Sequence, residues 1–170
     1  MRCTLMILGS LLTSAAISQA RDGLPQFNHK DSHSSVVFPG KPRETTQTVK
    51  TDAGDLNVTT TTYATTDGSA YLVSSTELPA ALTKPENRDE LFRGVRTGLM
   101  GKNGKLVTEK KATVGGVEGR EILIDKGKQQ TRFRVAVMGT RLYQVATLGT
   151  GEFVTGPDAT AFLDSFEFTK

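Results

Sequence analysis

Residues 105–149 read KLVTEKKATVGGVEGREILIDKGKQQTRFRVAVMGTRLYQVATLG, and this stretch decides the fold. Three turn dipeptides, Gly115-Gly116, Gly127-Lys128 and Gly139-Thr140, recur 12 residues apart. That is the rhythm of successive β-hairpins closed by two-residue loops. With such loops the register follows directly. Ile122 lies opposite Phe133, Phe133 opposite Ala146, and Val137 opposite Leu142, which makes one face of the sheet apolar. On the other face Glu121 meets Arg134 as a cross-strand ion pair. Tyr143 and Ala136 share that second face, so a further layer is expected over part of it. Arg120 and Gln144 fall on the apolar side, where an unpaired charge is too costly to persist. Either a bulge near Gly119 shifts the register, or a polar pair interrupts the core. A structural role, with the charge satisfied by the fold, is the reading preferred for Arg120. Arg120 and Gln144 are the candidate ligand- or partner-binding residues if it is not structural.

Upstream, residues 45–77 are rich in threonine, whose branched Cβ suits a pleated surface better than a helix. Breaks at 52–55 and 66–69 divide the stretch into three strands. The spacing of Leu91, Val95 and Leu99, with Phe92 alongside, predicts a helix over 84–100. Thr83 and Glu86 have capping-box spacing at its start. Gly94 and Gly98 are expected on its buried flank, where the missing side chains permit close approach to the sheet. Gly156-Pro157-Asp158 opens a closing helix that carries Ala159, Phe162, Leu163 and Phe166 on one stripe. The fold class is α+β: an antiparallel sheet of six to seven strands, with a mid-chain helix and a C-terminal helix packed on it. One domain is expected over residues 36–170. Residues 21–35, polar and without apolar periodicity, read as a flexible leader before it.

Residues 1–20 have the pattern of a secretory signal peptide. Arg2 is the positive segment, Leu5 to Ile17 the apolar run, and Ser18-Gln19-Ala20 the small-residue cleavage site. The run falls short of the roughly 20 apolar residues that a membrane-spanning helix needs, and no second such run follows. The protein is thus read as exported, periplasmic or secreted, with no membrane span after cleavage. An uncleaved anchor is the alternative. The single cysteine, Cys3, lies inside the signal, so the chain after Ala20 has no disulfide, thiolate metal site or cysteine nucleophile. A net charge of +3 falls by one with the loss of Arg2 and is not gathered into a basic stripe, which argues against nucleic acid as a partner.

Several short segments together carry a family resemblance. They are Val36-Val37-Phe38-Pro39-Gly40-Lys41-Pro42, the mid-chain helix, Gly119-Arg120-Glu121, Arg141-Leu142-Tyr143 and Ala161-Phe162-Leu163-Asp164-Ser165-Phe166. In this order, over residues 34–168, they resemble exported bacterial domains of the PsbP/Mog1-like kind. The resemblance implies an antiparallel sheet with helices on both sides. It brings no shared catalytic set, because members of the group serve as assembly factors, photosystem subunits or transport-factor partners.

The chemistry legible in the chain is sparse. His29 and His33, four apart, have a metal-ligand spacing only on a helix, and their surroundings are not helical. Both lie in the expected leader, outside the folded region, which argues against a serine–histidine hydrolase. The glycine-rich stretch 94–104 lacks the lysine and hydroxyl spacing of a phosphate loop. Neither a cofactor nor a metal is expected. The carboxylate pairs Glu118/Glu121 and Asp89/Glu90 are ordinary surface groups unless burial raises a pKa. The function expected is an exported, non-enzymatic domain that binds a protein, an envelope component or a small ligand. The alternative is an exported, hydrolase-like enzyme working through carboxylates and arginine. A deep cleft joining Arg120 to a carboxylate would favour the enzyme, and a filled interior would favour the binding domain.

Overall fold

A computed structural model of the chain describes residues 26–29, 33–51 and 54–169. The signal segment and its cleavage point lie outside the described residues. The strands are β1 (Gln26–His29), β2 (Ser34–Val37), β3 (Arg43–Thr51), β4 (Gly54–Ala64), β5 (Ala70–Glu77), β6 (Lys105–Val114), β7 (Val117–Asp125), β8 (Gln130–Met138), β9 (Arg141–Gly149) and β10 (Glu167–Phe168). The helices are α1 (Arg88–Met100), α2 (Gly151–Thr155) and α3 (Pro157–Asp164). Seven strands form an antiparallel sheet in the order β3-β4-β5-β9-β8-β7-β6, and β1, β2 and β10 form a three-stranded sheet.

The meander has the expected register. Val114 pairs with Val117 and Met138 with Arg141, while the Lys126 amide donates to the Gln129 carbonyl at 2.8 Å, so all three loops hold two residues. Gly115 and Gly116 take φ of 56° and 89°, the left-handed region that favours glycine and that this turn type requires twice in succession. Ile122 faces Phe133, Phe133 faces Ala146, and Glu121 faces Arg134. The β7–β8 pairing runs unshifted from Gly119 to Asp125, which removes the bulge near Gly119 as an explanation for Arg120. Gly119 is glycine for a different reason: a Cβ there would meet the Val135 carbonyl oxygen at 2.2 Å.

Each face of the large sheet has its own core. On one, Phe92 of α1 packs with Ile122, Ile124, Phe133, Val135 and Leu142, flanked by Leu91, Val95 and Leu99. On the other, Phe162, Leu163 and Phe166 pack with Tyr71, Val73, Tyr143 and Val145, and Val36 and Phe38 close the layer. This is the cover that the half-apolar second face calls for.

Three expectations are corrected. Part of the supposed leader is strand: β1 and β2 lie within residues 21–35 or at their edge, and His29, Ser34 and Ser35 are buried. Four-residue strands are too short for alternation to read, and they become strands here by pairing with each other and with β10. The capping box does not form. Pro85 holds Lys84 extended at ψ 144°, so a 3₁₀ turn over Pro85–Asn87 precedes α1, and the Thr83 hydroxyl donates to the Ala80 carbonyl instead. Gly94 and Gly98 do not approach the sheet, since a Cβ at either would meet only open space.

Candidate functional site

Arg120 projects from β7 towards the first turn of α1. Its guanidinium donates to Asp89 Oδ1 at 2.7 Å, to Glu118 Oε1 at 3.1 Å and to the Gly119 carbonyl at 3.1 Å. Its Cζ lies 4.9 Å from the centroid of the Phe92 ring. The side chain is only 11% exposed, whereas those of Asp89 and Glu118 are 83% and 61% exposed. A cation set between an aromatic face and two solvated carboxylates explains how a charge sits at the margin of an apolar core. Gln144 does not join it. It lies half-buried on β9 opposite Val135, and Val135 stands between it and Arg120.

An open cleft of about 370 Å³ lies beside this group, lined by Pro85, Arg88, Phe92, Lys111 and Arg120 with their carboxylate neighbours. Lys111 Nζ lies 3.4 Å from Glu118, and Arg88 Nε is buried with no hydrogen-bond partner among the described residues. Hydrogen bonds from Arg120 and then Lys111 hold the Glu118 carboxyl below its ordinary range. Glu118 is thereby kept ionised near neutral pH. Replacing Arg120 with methionine should keep the contact with Phe92 and lose the ion pairs. Thermal unfolding should then report only a small fall in the midpoint, because pairs to exposed carboxylates contribute little.

On the opposite face Glu121 is the centre of a second cluster. It accepts from Arg132 and Arg134 at 3.0 Å each and lies 3.1 Å from Lys110. Arg132 also donates to the Thr160 hydroxyl and Arg134 to Asp164, which ties the sheet to α3. Burial is the largest single influence on the Glu121 carboxyl and pushes its pKa up. The hydrogen bonds from Arg132, Arg134 and Lys110 together outweigh it and hold the pKa at about 2. The register shows Glu121 with Arg134. The alternation Arg132-Phe133-Arg134 was the signal for the second guanidinium, since the two arginines share a face.

His29 lies inside the folded region, contrary to expectation. Its Nδ1 is 3.3 Å from the Thr61 hydroxyl and 3.5 Å from Glu44 Oε2, and the Thr61 hydroxyl donates to the same carboxylate at 3.1 Å. The three residue types are those of a hydrolase triad, but the arrangement is not. A relay uses opposite ring nitrogens for hydroxyl and carboxylate, whereas both partners here meet Nδ1. Thr61 is wholly buried, out of reach of a substrate. Burial lowers the His29 pKa against the pull of Glu44, so the ring is held neutral.

Among the described residues no cluster of histidine, cysteine and carboxylate side chains is placed to hold a metal, and no helix is long and apolar enough to cross a membrane. No family model matches the sequence, and no curated protein matches it. The fold does match. The solution structure of cyanobacterial PsbP (CyanoP) from Synechocystis sp. PCC 6803 superposes with a TM-score of 0.61 over 92% of this chain and 98% of that one, at 10% identity. At that identity the likeness is one of architecture: the two-sided seven-stranded sheet with its flanking helices is a PsbP-like α+β fold.

Proposed function

We propose that this chain is an exported, non-enzymatic binding domain, and that it takes an acidic segment of an envelope or secreted protein at the cleft between α1 and β7. The observation that carries this reading is the Arg88 guanidinium on the cleft wall, a cation that closes no ion pair among the described residues. An unpaired guanidinium on a cleft wall favours an incoming carboxylate. Lys111 on the rim, exposed and 3.4 Å from Glu118, extends the positive lining. The carboxylates of the cleft are already paired with cations, which supports binding over acid–base chemistry. The signal pattern of residues 1–20 supports export with cleavage after Ala20, leaving Arg21 at the new terminus.

Affinity capture from the native envelope or medium tests the reading. The wild-type protein should retain a partner and should begin at Arg21 when sequenced. The double substitution Arg88→Ala and Lys111→Ala should lose that partner while the melting curve stays near wild type. Arg120→Met should keep it, once folded. Equal capture by the wild-type and doubly substituted proteins would remove the cleft as the binding site.

A further inference from the structure

The two edges of the large sheet are defended very differently. β6 carries a bulge between Leu106 and Thr108 and a run of charges, Glu109, Lys110 and Lys111, two common devices against edge pairing. β3 has no bulge, and its charges, Arg43, Glu44 and Lys50, stand at its two ends and leave Thr45 to Val49 uncharged. It pairs with β4 over all nine residues without a shift, contains no proline, and has every residue exposed. Every second residue of β3 directs its N–H and C=O groups to β4, which leaves the alternate set facing outward.

We infer that β3 is a self-association edge, pairing antiparallel with β3 of a second copy of this chain about a two-fold axis at Gln47. The register is set by overlap and by charge. Full overlap of Arg43–Thr51 places Gln47 opposite Gln47 of the second copy, Thr46 opposite Thr48, and Glu44 opposite Lys50. Both ends of the junction therefore carry an opposite-charge pair. This pairing matches odd-numbered positions with odd and even with even, so the outward-facing backbone groups of one copy meet the outward-facing groups of the other. Lys50 is available for the role. Asp55 faces it from β4, but no ion pair closes among the described residues. Glu44 bonds Thr61 through Oε2 and remains 48% exposed. Val49, an exposed apolar side chain at 39%, would be covered beside Thr45 of the second copy. A self-complementary strand gives an isologous, closed dimer and no open fibre.

Sedimentation equilibrium over a wide concentration range tests this. The wild type should form a dimer. Lys50→Glu sets like charges opposite each other at both ends and should weaken the dimer tenfold or more. The double substitution Glu44→Lys with Lys50→Glu reverses both pairs and should restore it. Hydrogen exchange on the wild type needs no substitution: amides of residues 44–50 should gain protection as concentration rises, and those of β6 should not. A wild type that stays monomeric overturns the proposal, including one that binds an added extended peptide along β3. A dimer indifferent to Lys50→Glu, or one that the double substitution fails to restore, overturns it as well.

Discussion

Phe162→Ala is expected to lower the unfolding free energy by about 3–5 kcal/mol, the usual loss when a buried phenylalanine is truncated and a cavity remains. Phe162 is 1% exposed and belongs to the face that joins α3 to the sheet. Its ring centroid lies 5.2 Å from that of Phe38 and 5.0 Å from that of Tyr71. Helix α3, strand β5 and the segment that follows β2 thus lose a shared contact. For a chain of this size the midpoint of thermal unfolding should fall by roughly 6–20 °C. Circular dichroism melts of the two proteins decide the matter. A midpoint unchanged within error would mean that α3 does not anchor the second layer.

Glu121→Gln is expected to destabilise by about 3 kcal/mol at neutral pH, near the lower end for breaking a buried ion pair. The amide keeps the shape and loses the charge that Arg132, Arg134 and Lys110 share. Arg134 retains Asp164 and Arg132 retains Thr160, which is why the loss is not larger. The effect has a pH signature. The Glu121 carboxyl titrates near 2 in the fold against an ordinary value of 4.5. A carboxyl depressed in this way stabilises the fold fully above the unfolded value, and that stabilisation is lost as pH falls from there towards 2. The gap between the two proteins should therefore be widest at neutral pH and should narrow steadily below about pH 4.5. Urea unfolding at several acidic pH values measures it. A gap that stays constant down to the lowest pH would show that the carboxylate charge is not what binds the cluster.

The meander was legible because its turns are local. Gly115-Gly116 and Gly139-Thr140 set the loop lengths, loop length sets register, and register places Ile122, Glu121 and Arg120 on their faces. Arg120 was recognisable as an anomaly for the same reason, although its resolution through Asp89 and Phe92 was not. Those partners come from a helix whose placement depends on side chains distant in sequence. The N-terminal strands were hidden by the same logic in reverse. Nothing within Gln26–His29 or Ser34–Val37 favours a strand by pattern alone, and the partner that completes β2 lies at the other end of the chain. Proline at 85 carried more weight than the capping spacing of Thr83 and Glu86, a local rule overruling another local rule.

The small sheet makes completion of the fold a matter of timing. β2 stands between β1 and β10, and the Val37 amide donates to the Ser165 hydroxyl 128 residues away. Closing so large a loop is slow relative to forming the hairpins of the meander. A chain made with its N-terminus first has no partner for β2 on this side until β10 has emerged. Until then the face bearing Tyr71 and Val145 lacks α3 and the strand that seals it. The second layer therefore stays open until α3 and β10 are available to close it.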